Sequence, residues 1–437
     1  MAKLLTLRLA GLVPLWALQA FAAVTLHQLP GTPDGWSLTG TPDASQQVTL
    51  QVALSMSNLD QLESRLSSVS TPGTPSYGKH LDRDEVNAIF APRAASSDAV
   101  ESWLKSYGVT NYTTSSGLGS VWFQTSVSTA NSLLSTSFNH YTDSTGTTKL
   151  RTTGYSIPDS LIDHVDLISP TTYFGKTKAQ RAMPKATRGS LAPRDEPSIC
   201  NQTTPYGDLV FQETNTSFNI FYPNCIREQY GVTGYTPLAS SGSKIGFSSF
   251  LNMSAGLADL ALFGERFGFP TQNFTVVLVN PEEGATDPQP PSDVNATDAN
   301  MDVQCIVTIA PGLPITEYIT AGGPPNIRNP VDPPGTPNTN EPYLPYYEYL
   351  LGLTNKELPN VISNSYADEE QSVPENYAIR VCNMIGMMGL RGISVLESSG
   401  DEGVGASCLA ANSTTDRQFV PFFPVSPPSY FVSRYID

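Results

Sequence analysis

Apolar and polar residues alternate along Val48-Thr-Leu-Gln-Val-Ala-Leu54, a two-residue period that predicts a strand. The period then changes. Leu59, Leu62 and Leu66 recur at three- and four-residue steps from Asn58 onward and mark one face of a helix. A second helix is predicted around Val100 and Trp103-Leu104, so residues 23–175 read as a short α+β unit. Over residues 176–199 the pattern collapses. Lys176, Lys178, Arg181, Lys185, Arg188 and Arg194 fall there without apolar periodicity, and only Asp195 and Glu196 are acidic. This basic stretch is either a solvated tether or a cleavage segment between two parts of the chain. Residues 200–437 return to a βαβ pattern. Strands are predicted at Lys244–Phe250, Phe274–Val279, Val361-Ile-Ser363 and Ile393–Leu396. Helices are predicted through Leu257, Leu260 and Phe263, and from about Pro374 to Leu390. Strands alternating with helices imply an α/β fold on a parallel sheet, with functional loops at the strands' C-terminal ends. Pro-rich stretches near 283–292 and 321–345 are expected to be long loops.

The N-terminus changes the picture of where the protein acts. Lys3 and Arg8 precede an apolar run from Leu9 to Leu18, and Ala20-Phe-Ala22 has the small-x-small form of a cleavage site. Residues 1–22 therefore read as a secretory signal, and the protein is expected to be extracellular. No later stretch is long enough to span a bilayer, so no membrane partner is expected. Seven Asn-x-Ser/Thr sequons, at Asn111, Asn201, Asn215, Asn252, Asn273, Asn295 and Asn412, fit a glycosylating route. All five cysteines (Cys200, Cys225, Cys305, Cys382 and Cys408) follow the basic stretch; disulfides are expected, and the odd count leaves one thiol over. A formal charge of −16 excludes a nucleic-acid partner and suits a protein working in acid, where carboxylates protonate and self-repulsion falls.

Candidate chemistry is narrowed by an absence. His27, His80, His140 and His164 all precede the basic stretch, so residues 200–437 can build neither a Ser-His-Asp triad nor a His-based zinc site. There is no phosphate-binding glycine loop and no paired Asp-Thr-Gly. Carboxylates remain. Asp298 and Asp302 are four residues apart and would share a helix face, where their repulsion raises one pKa. Acids also gather in first turns to complement the helix dipole. Asp401, in Ser398-Ser-Gly-Asp-Glu-Gly, follows a predicted strand where active-site loops sit, although the same sequence would also make a simple turn.

Three runs carry a family resemblance: Val361-Ile-Ser-Asn-Ser-Tyr-Ala-Asp-Glu-Glu-Gln-Ser-Val-Pro374, Tyr377-Ala-Ile-Arg-Val-Cys-Asn383, and Arg391-Gly-Ile-Ser-Val-Leu-Glu-Ser-Ser-Gly-Asp-Glu-Gly-Val-Gly405. With Asn338-Thr-Asn-Glu-Pro-Tyr-Leu344, the chain resembles the sedolisins, the serine-carboxyl peptidases, and within them the fungal tripeptidyl-peptidase branch. Ser76-Tyr-Gly-Lys-His-Leu81, Ala91-Pro92, Trp103-Leu104 and Pro170-Thr-Thr-Tyr-Phe174 are similar to that family's activation domain. The resemblance implies a subtilisin-like parallel sheet with flanking helices, incomplete at its C-terminus, preceded by a ferredoxin-like α+β pro-domain. It implies a secreted acid peptidase that releases tripeptides from free N-termini of polypeptides, with polypeptide substrates and its own pro-domain as partners, working as a monomer. A glutamate there replaces histidine as general base, an aspartate four residues on supports it, and a protonated aspartate donates to the oxyanion. By motif, Asp298 takes the base position, Asp302 the supporting position and Asp401 the oxyanion position, while Ser365, Tyr366 and Ala367 line the substrate cleft.

Departures accompany the resemblance. Asp298 stands where the family has glutamate, which withdraws the carboxylate by roughly 1.5 Å; a misplacement of about 1 Å can cost on the order of 100-fold in rate. Ala367 stands where glycine is usual. No Gly-Thr-Ser nucleophile motif follows Asp401, and calcium, expected from the family, has no matching ligands in the sequence. The chain as written is therefore expected to be inactive. Alternatives are a secreted pseudoenzyme or inhibitory pro-domain protein, and a glycosylated extracellular structural protein.

Overall fold

A computed structural model describes residues 23–33, 35–115, 119–143, 146–174, 209–211, 216–218, 223–289, 298–322, 340–400, 408–410 and 413–426. The predicted signal and the basic stretch 176–199 lie outside these residues.

The N-terminal part is built on the strand the alternation predicts. Strand β1 (Gln47–Leu54) is followed by helices α1 (Leu62–Ser70), α2 (Arg83–Phe90) and α3 (Ala94–Ser106), then β2 (Tyr112–Thr114), β3 (Ser120–Ser126), α4 (Val127–Leu133) and β4 (Val165–Ser169). These strands form an antiparallel sheet in the order β2-β3-β1-β4. Leu50, Val52 and Leu54 pack against Val100, Trp103 and Leu104 of α3 and against Ala130 and Leu133 of α4. Gln51 and Ala53 point the other way, yet both are buried. The reason is that the C-terminal part covers the second face of the sheet. Helix α1 begins at Leu62, later than the leucine pattern suggests, because Leu59–Gln61 form a separate 3-10 turn. An Asp82–Glu85 capping box starts α2, each side chain accepting from the other's backbone N–H.

The C-terminal part is a five-stranded parallel sheet. Its strands are β5 (Ile245–Ser249), β6 (Thr275–Val279), β7 (Ile315–Thr320), β8 (Val361–Asn364) and β9 (Ser394–Glu397), in the order β6-β7-β5-β8-β9. Helices α5 (Leu257–Phe267), α6 (Asp298–Ile309), α7 (Tyr343–Gly352) and α8 (Glu375–Leu390) cross between strands. The chain begins in the middle of the sheet, winds to one edge, returns, and crosses to the other side. Such a switch point opens a crevice at the carboxyl ends of the central strands. The Pro-rich stretch expected to be loop to residue 345 ends earlier, since α7 starts at Tyr343. Pro345 sits in its first turn, where a missing N–H leaves no hydrogen bond unmade.

One apolar cluster joins the two parts. Leu62, Leu66, Val69, Val86 and Phe90 from the first pack with Met384, Met388 and Leu390 of α8 and Leu350 and Leu351 of α7. Gly389 permits the close approach: a Cβ there would lie 2.8 Å from Leu66 Cδ1. Polar contacts fix the same junction. The fully buried Arg380 of α8 donates to Leu54 O at 2.9 Å and to the Asp166 carboxylate at 2.6 Å, and Gln51 donates to Glu348 at 2.7 Å. No described helix is long and apolar enough to cross a membrane.

Candidate active site

Helix α6 places the predicted acid pair. Ala299, Val303, Ile306 and Val307 press it against Ile245, Phe247 and Ile315 of the sheet, which fixes its rotation. Asp298 is its first residue and Asp302 lies one turn on, on the same face, as the spacing predicts. Asp302 is 8% exposed. Its Oδ1 accepts a hydrogen bond from Ser365 Oγ at 2.6 Å, and its Oδ2 is buried without a partner. Burial pushes the Asp302 carboxyl up to about 7 against the pull of the Ser365 bond, and the Asp298 charge adds to the rise. At acid pH Asp302 therefore holds a proton.

Ser365 belongs to the turn leaving β8. Tyr366 follows, with its ring 4.8 Å from that of Phe250 and its carbonyl accepting from Tyr343 OH at 2.6 Å. Burial, then the Asp302 charge, push its phenol well above the usual range. Ala367 is half-buried and is not among the residues with positive φ, so this backbone accepts a methyl without strain. Thus Asp298, Asp302, Ser365 and Tyr366 converge at the carboxyl ends of the central strands. Asp401 lies outside the described residues. Gly400, just before it, has φ of 80°, which an L side chain adopts only with strain.

Sequence reasoning missed a third acid. Glu317, in the middle of β7, is fully buried; its Oε1 accepts from Ser249 Oγ at 2.6 Å and from the Ala255 N–H at 2.8 Å. Burial raises its carboxyl to about 7 against both hydrogen bonds, with smaller upward contributions from Asp287 and Asp302. Asn300 of α6 pins the same β5–α5 loop by accepting from the Gly256 N–H at 2.7 Å. The available signal was a lone acid inside Ile315-Thr-Glu-Tyr-Ile-Thr320, a strand that the apolar pattern alone did not reveal. Among the described cysteines, Cys225 is disulfide-bonded, while Cys305 and Cys382 carry free thiols. Among the described residues no three His, Cys, Asp or Glu side chains converge to hold a metal ion.

Residues 34–174 match the family described as the pro-kumamolisin activation domain. The chain is 46% identical over 406 residues to a tripeptidyl-peptidase, sed4, of Aspergillus fumigatus, covering 93% of this chain and 64% of that protein. It is 31% identical over 434 residues to a probable tripeptidyl-peptidase, SED3, of Arthroderma benhamiae, covering 97% of this chain and 69% of that protein. The chain thus spans about two thirds of the length of these relatives. A solved Pseudomonas sedolisin, a serine-carboxyl proteinase, aligns at 16% identity with a TM-score of 0.31, over 49% of this chain and 52% of that one, a likeness too low to carry an argument. With an activation-domain match, relatives aligned over nearly the whole chain, and the acid pair on one helix face, the chain belongs to the sedolisin family of serine-carboxyl peptidases.

Proposed function

We propose that this protein is the precursor of a secreted serine-carboxyl peptidase that releases tripeptides from free N-termini of polypeptides in acid. The observation that carries the reading is the Asp302–Ser365 hydrogen bond, which ties the acid pair of α6 to the predicted substrate-lining turn at the mouth of the parallel sheet. Asp298 would take the proton from an attacking serine and deliver it to the departing amine, and water would then release the acyl group. Asp302 would hold and orient that base. Asp401, as a neutral acid, would donate to the oxyanion, which restricts the chemistry to low pH. No Gly-Thr-Ser nucleophile motif follows Asp401 in the sequence.

The β-α-β-β-α-β succession of the N-terminal part, with its β2-β3-β1-β4 order, supports a ferredoxin-like pro-domain. The winding of the five parallel strands supports a subtilisin-like peptidase sheet. A second reading, a non-catalytic relative, is favoured by Asp298, whose shorter side chain draws the base back from its target.

Expression from the native gene and assay with a tripeptide reporter at about pH 4 separates the two. Asp298→Glu is expected to raise kcat/KM by about 10-fold or more, because it restores the reach of the base. No hydrolysis by either form, with both folded, contradicts the peptidase reading.

A further inference from the structure

The two loops of the candidate site leave adjacent strands at the same level of the sheet. Asn364, the last residue of β8, pairs in register with Glu397, the last of β9. The first leads into Ser365-Tyr366-Ala367 and the second into Ser398-Ser-Gly-Asp401. Between them lies a buried polar knot that the proposed mechanism does not use. Glu397 is 1% exposed; its Oε1 accepts from Tyr347 OH and from Asn364 Nδ2 at 2.8 Å, and its Oε2 is buried without a partner. Asn364 Oδ1 in turn accepts from Tyr346 OH at 3.0 Å, and the Ser398 N–H donates to Asn364 O at 3.0 Å. Tyr343, on the same helix α7, bonds the Tyr366 carbonyl. One side chain thereby reaches the root of both loops and the helix behind them.

We infer that Glu397 is a positioning residue whose carboxyl group, through Asn364 and Tyr347, holds the substrate-lining turn and the Ser-Gly-Asp loop together. The inference rests on the proposed peptidase reading for its functional consequence. The groups facing Glu397 are Tyr343, Tyr346 and Tyr347 from α7, Glu341 just before α7, and Cys382 from α8; no cation is among them. Burial pushes the Glu397 carboxyl up to about 8 against the Tyr347 and Asn364 hydrogen bonds. In acid the group is neutral and fits. At mildly alkaline pH it must ionise with no countercharge facing it among the described residues, and the cost falls on the contact between the loops.

Glu397→Gln keeps the shape and removes the titration, and Glu397→Met is a second neutral variant of similar size. Two readouts are followed from about pH 4 to about pH 8: the urea midpoint of the full chain, and kcat/KM of the protein expressed from its native gene. The wild type is expected to lose both as pH rises. Glu397→Gln is expected to match the wild type near pH 4 within about two-fold, and to retain at least about three times more of its acid-pH kcat/KM near pH 8, with KM little changed. If Gln does not fold, a folded Met variant with a flatter urea profile supports the inference. Profiles parallel to the wild type, or failure of both neutral variants to fold even in acid, overturn it. An inactive wild type contradicts the peptidase reading instead, and the urea profiles still decide this inference.

Discussion

Lowering the pH from about 8 to about 4 is expected to stabilise this protein by about 3 kcal/mol or more, the reverse of the usual acid response. The cause is a set of buried carboxyls raised by desolvation. Glu397 is raised to about 8, Asp302 and Glu317 to about 7, Asp368 to about 6, and its neighbour Glu341 well above the ordinary range. In the unfolded chain each releases its proton near the ordinary carboxyl value of 3.8 or 4.5. The contribution of each is therefore fully present below that value and is lost as pH rises through the folded one. Within each window the loss is about 1.4 kcal/mol per pH unit. His27 opposes the trend, since burial lowers its pKa and disfavours its protonation in acid, and so do Asp43, Glu101 and Glu357, whose hydrogen bonds lower theirs. The three carboxyls are exposed, where solvent screens such effects, so the five buried ones set the sign. Urea midpoints at about pH 4 and about pH 7.5 check it, and a higher midpoint at neutral pH contradicts it.

Replacing Asp302 by Asn is expected to lower kcat of the protein from its native gene by about 100-fold or more, with KM nearly unchanged. The amide can still accept the Ser365 hydrogen bond at its oxygen, so the turn stays in place. What it cannot do is ionise as Asp298 takes up the serine proton. A carboxyl with a pKa of about 7 beside the base can respond to that change of charge. Because Asp302 is already neutral near pH 4, the urea midpoint there is expected to stay close to wild type, which separates a catalytic loss from a folding defect. A kcat within about three-fold of wild type would remove Asp302 from the proton-handling pair.

The sequence revealed those elements in which apolar residues keep one period without interruption. Val48–Leu54, the Leu62/Leu66 helix and the Pro374–Leu390 helix fall in this class, and all three form. Strand β7 escaped because Glu317 and two threonines break its apolar run, and only the fold supplies the Ser249 hydroxyl that satisfies the acid. Helix α7 escaped because it opens on Pro342-Tyr-Leu-Pro345 and is rich in tyrosines, residues of modest helix propensity. Its tyrosines are retained for packing and hydrogen bonding around Phe250, Asn364 and Glu397. The acid pair was legible because a four-residue step fixes a helix face. Its contact with Ser365 was not, since that bond spans 63 residues. Ala367, where the family usually has glycine, keeps an ordinary negative-φ backbone.

The most direct test of a tripeptide-releasing acid peptidase is product analysis. The protein expressed from its native gene is incubated with an unblocked polypeptide at about pH 4, and the products are identified by mass spectrometry. A ladder of consecutive tripeptides from the free N-terminus, absent when that terminus is acetylated, is the predicted result. Internal cleavages without such a ladder, or no cleavage by a folded protein, would contradict it.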